Sequence, residues 1–185
     1  MIRPSLLAAG LLGTLALASP AHAGFTLGGT PKVSFLASGG MLVPDIPGET
    51  SALTVTDDGT TLTFTVPMST VKTGIDLRDE HMLQRYVEVA KYPDATLRVP
   101  IASLVLPGKD GETRKGKADA TFTVHGAAAP VKVAYTVRKR GDAYAGEAEF
   151  TFDVRKHGIA VPEYQMVSVE PEMRAKVTAE LRHAP

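Results

Sequence analysis

The side chains able to do chemistry are few and scattered. Of the 5 histidines, His81, His125, His157 and His183 show neither a His-x-His nor a His-Glu-x-x-His spacing. Those spacings mark local metal sites, so a metal site here would have to assemble from residues distant in sequence. Ser69, Asp79 and His81 are the residue types of a hydrolytic triad. No Gly-x-Ser-x-Gly elbow presents the serine, however, and serine catalysis is a poor reading. Glu147, Glu149 and Asp153 share one strand face and read as solvated charges, not as an acid/base pair. Arg78-Asp79 reads as a helix-start ion pair or cap. There is no phosphate-cradling glycine loop. With Cys 0, disulfides, thiolate metal sites, a cysteine nucleophile and a lipidated N-terminal cysteine are excluded. The residues indicate no enzyme, no metal and no cofactor.

Charge and composition narrow the partners further. Lys+Arg 20 balance Asp+Glu 20 without a basic block, which argues against a nucleic-acid surface. Hydrophobic residues at 44% and charged residues at 22% are those of a chain with a packed core. Aromatics are 6% and Trp is 0, too few for the girdles of a membrane barrel. The ending Leu181-Arg182-His183-Ala184-Pro185 points the same way. No stable membrane insertion is expected.

Met1–Ala23 reads as a secretory signal. Arg3 supplies the positive region and Leu6–Leu17 the apolar stretch, too short for a comfortable bilayer span. Ser19-Pro20 breaks that stretch, and Ala21-His22-Ala23 is an A-x-A cleavage site. The expected organisation is therefore a signal peptide over 1–23, one domain over 24–185, and a periplasmic or secreted location in a bacterium.

The elements that must position any site repeat with a period of two. Leu62, Phe64 and Val66 alternate with threonines, and Ala118, Ala120, Phe122 and Val124 alternate with polar residues through His125. Val131, Val133, Tyr135 and Val137 form a third apolar face, and Ala148, Phe150, Phe152 and Val154 a fourth. The longest run extends from Val167 to Leu181. Lys32–Leu36, Ser51–Thr56 and Ala95–Ile101 are shorter candidates. Each segment has one face to bury and one to wet, which predicts eight strands. Asp57-Asp58-Gly59, Pro107–Gly111 and Arg140-Gly141-Asp142 supply the turns, and short connections imply antiparallel neighbours. Asp76–Val87 instead has helical spacing, with Met82 above Tyr86 and Leu83 above Val87. Asp76 is placed to cap it and Asp79 to reciprocate, giving a short helix between the third and fourth strands.

Eight one-sided antiparallel strands close as a sandwich or a barrel, and the hairpin order with a single helical crossover favours the barrel. Ala118, Ala120, Ala148, Ala175 and Ala179 face inward. They either leave a hollow for a ligand or simply fit a narrow, tapered interior. The inward candidates for ligand contact are Phe35, Leu53, Val55, Leu62, Phe64, Phe122, Val133, Tyr135, Phe150 and Phe152. Met82, Leu83 and Tyr86 on the helix would cover one end or pack beneath it.

Three stretches resemble the YceI-like family of secreted bacterial lipid-binding proteins. The first runs from Ser69 through Thr73-Gly74 and Arg78-Asp79-Glu80-His81 to Tyr92-Pro93. The second is Thr121–Gly126 followed by Pro130-Val131, and the third is Phe152–Ile159. The resemblance implies a mainly β, eight-stranded lipocalin-like barrel whose interior holds an isoprenoid, isoprenoid quinone or fatty-acid-like chain. It implies a carrier rather than a catalyst. A homodimer is kept open as a further partner state. The alternative is a non-catalytic stress-related or assembly module with a filled barrel. The chain departs from the family pattern at His157 and Leu97, where large aromatics are usual, and at Ala127-Ala128-Ala129 in the turn after Gly126. Phe35 is also alone in a first strand that is usually richer in aromatics.

Overall fold

The computed structural model describes residues 24–39, 44–161, 163–164 and 167–183. The expected signal peptide lies outside these residues. The strands are β1 (Phe25–Ala37), β2 (Ile46–Thr50), β3 (Thr54–Asp57), β4 (Thr61–Pro67), β5 (Asp94–Pro100) and β6 (Thr113–Val124). They continue with β7 (Ala127–Arg140), β8 (Ala143–Asp153), the short pair β9 (Glu163–Tyr164) and β10 (Val167–Ser168), and β11 (Glu172–His183). Nine of them form one antiparallel sheet in the order β2-β1-β11-β8-β7-β6-β5-β4-β3. The sheet curls so that its far edge returns to its start. There the Phe25 N–H donates to the Asp57 carboxylate at 2.9 Å, joining β1 to β3.

Alternation does what the pleat requires. Ala118, Ala120, Phe122 and Val124 are buried, while Asp119 and Thr121 between them are exposed. Across the ladder Ala118 faces Val133 and Ala120 faces Val131, so the inward side chains of β6 and β7 meet in register. His125-Gly126 turns between these strands with φ of 52° and 72°. Positive φ at both central residues gives a two-residue loop the twist that the flanking strands need.

At three places among the described residues the strands differ from the eight expected. β2 carries Pro47 and Gly48 and shows no alternation, so its pattern is silent. It is an edge strand, where proline is tolerated, and the Phe35 ring lies across Gly48 and occupies the space of a side chain there. β1 begins at Phe25, seven residues before the expected Lys32, because a bulge between Gly28 and Lys32 breaks the period. The long run Val167–Leu181 divides at Val169–Pro171. There the Glu170 N–H donates to Ser38 and the Pro171 carbonyl accepts from Val154.

The helix is shorter than expected. α1 spans Asp76–His81, and one wider π-type turn follows over Met82–Tyr86, where the Val87 N–H reaches the Met82 carbonyl at 2.9 Å. Asp76 is not its cap. Ile75 holds that position without a side-chain bond, and Asp79 reaches back to Thr73 instead.

Candidate functional site

The barrel interior divides into two halves. At the end formed by the start of β1 and the turn between β7 and β8, the inward side chains enclose a half-open cavity of about 110 Å³. Leu62, Phe64, Val133, Tyr135 and Phe150 line it, as five of the sequence candidates. Ala118, Ala148 and Ala179 line it too. Their missing side-chain volume is what leaves the space, so in this half the small residues mark a hollow. Ala120 and Ala175 are buried in the other half, where they fit a packed interior.

The other eight candidates do not border the cavity. Phe122 and Phe152 belong to the packed half, where the Phe122 centroid lies 5.1 Å from Phe150 and 4.7 Å from Phe152. Phe35 covers Gly48, Leu53 is buried, and Val55 pairs with Phe64 across the ladder. Met82, Leu83 and Tyr86 follow β4 and so sit at the opposite end of the barrel, where Tyr86 packs on the core. The helix therefore lies at the packed end and leaves the cavity uncovered.

Residues missed in the sequence build the mouth. Phe25 meets Tyr144 edge-on at 5.7 Å and His183 at 5.1 Å. Leu104 and Leu106 arrive from the connection between β5 and β6, which Tyr135 holds in place through its hydroxyl, 2.7 Å from the Val105 N–H. Tyr144 lies four residues before Ala148 on the same strand face and was reachable by extending that alternation past Gly146. Leu104 and Leu106 follow a 3₁₀ turn outside any strand, where no period shows them. Leu97 also lines the cavity, where an aromatic would take part of the space.

Polar groups gather at the packed end. Asp79 is 4% exposed and accepts from the Thr73 N–H at 2.7 Å and the Thr73 hydroxyl at 2.6 Å. Arg78 donates to the Thr73 hydroxyl and carbonyl at 2.8 and 2.6 Å, so the two charges meet through Thr73. Burial works to raise the Asp79 carboxyl, but the Thr73 bonds and the charges of Lys72 and Arg78 together hold it below the usual carboxylate range. Ser69 is exposed, and Asp79 is committed to Thr73. Among the described residues no group of three His, Asp or Glu stands close enough to hold a metal.

A second cluster ties three segments together. His125 lies with Nδ1 3.0 Å from the His157 carbonyl and Nε2 2.6 Å from the Glu88 carboxylate. Each ring nitrogen thus faces an oxygen acceptor. Tyr92 packs edge-on against His125 at 4.6 Å. Asp153 accepts from the Arg155 backbone at 2.9 Å and pairs with its guanidinium at 2.6 Å; these contacts lower its carboxyl to about 2.

A YceI-like domain model matches residues 29–181. No curated protein matches the sequence. Among solved structures, a polyisoprenoid binding domain from Saccharophagus degradans, described as implicated in plant cell wall breakdown, is similar with a TM-score of 0.71 at 17% identity. That match covers 89% of this chain and 100% of the other. Burkholderia cenocepacia BcnA is similar with a TM-score of 0.63 at 19% identity, over 81% of this chain and 95% of its own. The Campylobacter jejuni YCEI protein is similar with a TM-score of 0.60 at 18% identity, over 78% and 89%. At these identities the likeness concerns the fold.

Proposed function

The chain belongs to the YceI-like domain family, and from that premise we propose that it binds and carries an apolar chain molecule in the half-open end of its barrel. The ligand is an isoprenoid, an isoprenoid quinone or a fatty-acid-like lipid. The observation that supports this most is the cavity itself, about 110 Å³ of space walled by Leu62, Phe64, Leu97, Val133 and Phe150. A volume near the roughly 150 Å³ that admits benzene takes a branched segment of a few carbons. A longer chain extends through the mouth past Phe25 and Tyr144, or displaces rings deeper inside. Each Å² of apolar surface removed from water contributes roughly 25 cal/mol, before association costs. The polyisoprenoid binding described for the Saccharophagus degradans domain is in keeping with this reading.

The signal-like segment Met1–Ala23 supports action in the periplasm or outside the cell. The competing reading, a non-catalytic assembly module with a filled barrel, has the packed half in its favour. It does not explain why the other half is left unfilled.

Native mass spectrometry of protein purified from the periplasm tests the proposal. A co-purifying lipid, or uptake of a polyprenyl probe at one per chain, is the expected result. An empty protein that takes up neither a polyprenyl nor a fatty-amide probe would overturn it.

A further inference from the structure

Among the described residues, one buried polar atom in the packed half has no hydrogen-bond partner. His157 is 1% exposed, and its Nδ1 lies 2.8 Å from the Ala127 carbonyl oxygen. A carbonyl only accepts, so Nδ1 carries the hydrogen and Nε2 is the acceptor nitrogen of the neutral ring. Among the described residues, Nε2 finds no hydrogen-bond partner. A buried acceptor left unpaired costs stability, and such an atom calls for a physical reason.

The surroundings say what could satisfy it. Phe122 and Phe152 stand edge-on to the His157 ring, at 5.4 and 5.7 Å between centroids. Val154, three residues before it, is 1% exposed. A buried water needs two to four polar partners, and among the described residues these aromatic and aliphatic side chains offer none. The end of an apolar chain carrying a hydroxyl meets both demands at once, bringing one O–H for Nε2 and an apolar body for the rings. A phosphate or carboxylate end would place acceptors against an acceptor in a dry interior.

The route is one ring deep. Phe150 lines the cavity, and Phe122 touches both sides, 5.1 Å from Phe150 and 5.4 Å from His157. We propose that His157 Nε2 is the polar anchor of the interior site, reached when the Phe122 ring gives way, and that it accepts a hydrogen bond from a neutral hydroxyl on the buried end of the chain. The site thereby selects chain alcohols, or hydroquinones with an apolar tail, over hydrocarbons and anionic lipids. This inference rests on the carrier reading above, and its test separates the two.

Isothermal titration calorimetry of the full chain with farnesol and with farnesyl methyl ether reads the hydroxyl directly. The native protein is expected to bind farnesol at least tenfold more tightly than the ether. In His157→Phe, which removes Nε2 together with the Nδ1 bond to the Ala127 carbonyl, farnesol and the ether should bind alike. His157→Leu repeats the measurement if His157→Phe does not fold. Equal affinities in the native protein, or a preference for farnesol that survives in the variants, would overturn the anchor and leave the carrier reading standing. Failure of the native protein to bind either compound would overturn both.

Discussion

The two ends of the barrel are built from the same alternating strands and differ in what fills them. At the packed end, Phe122, Phe150 and Phe152 interlock, Val154 and His157 are 1% exposed, and the helical crossover lies at the base, tied by Thr73 and Asp79. At the open end, Ala118, Ala148 and Ala179 border the hollow, and the mouth is ringed by Phe25, Tyr144 and Leu104 around empty space. Dispersion contacts accumulate where side chains touch on all sides and are forfeited where a gap remains. The packed end therefore carries stability, and the open end keeps the unsatisfied apolar surface that a ligand can cover.

Truncating one large side chain at each end gives the largest contrast. Phe122→Ala should destabilise by roughly 3–5 kcal/mol, because a fully packed ring leaves a cavity that its neighbours only partly refill. Leu181→Ala, which removes a half-buried side chain bordering space that is already empty, should cost less than about 1.5 kcal/mol. Denaturant midpoints measure both; equal losses would erase the distinction between the ends.

A backbone change at the packed end comes next. Gly126 has φ of 72°, and a side chain there would collide with the Tyr92 ring that covers His125. Gly126→Ala should cost about 2 kcal/mol. Gly141→Ala at the opposite end shares the positive φ of 60° but meets open space, so it should cost about 1 kcal/mol. Thermal melts of the two variants separate strain from collision.

Acid should loosen both ends over one pH range. The Asp153 carboxyl is held at about 2 by Arg155, and the Asp79 carboxyl is low because the Thr73 bonds and the charges of Lys72 and Arg78 together outweigh its burial. Near the open end, hydrogen bonds from Thr60 and Thr61 lower Asp58, and those from Lys109 and Gly108 lower Glu112. A carboxyl depressed in the folded state stabilises it above the unfolded value, near about 4. That contribution disappears as the pH falls through the folded value. Stability followed by circular dichroism should therefore decline between about pH 4 and pH 2. Stability unchanged across that range would contradict this origin.

How much was legible in the sequence follows the same division. The alternation of β6, β7 and β8 showed the curled sheet and its inward face, because a one-sided strand must repeat every second residue. It could not show which inward residues border space and which border one another. That depends on how far the sheet curls and on pieces without periodicity. Leu104 and Leu106 lie on an irregular connection, and Phe25 precedes the bulge at Gly28. Gly48 and Pro47 hid β2 because an edge strand needs no buried face. His157 was visible as a departure from the family's aromatic, but its orphaned nitrogen depends on the Ala127 carbonyl 30 residues away in sequence.

The smallest effect on stability comes with the largest expected effect on binding. Ala148 lines the cavity between Tyr135 and Val177, its partners across the ladders. Ala148→Leu fills part of the hollow and should shift stability by no more than about 1 kcal/mol in either direction. Polyprenyl uptake by this variant and by the native chain, compared side by side by native mass spectrometry, tests directly whether the hollow end is the binding site. One bound chain on the native protein and little or none on a folded Ala148→Leu protein is the predicted result. Undiminished uptake by the filled barrel would show that the ligand sits elsewhere.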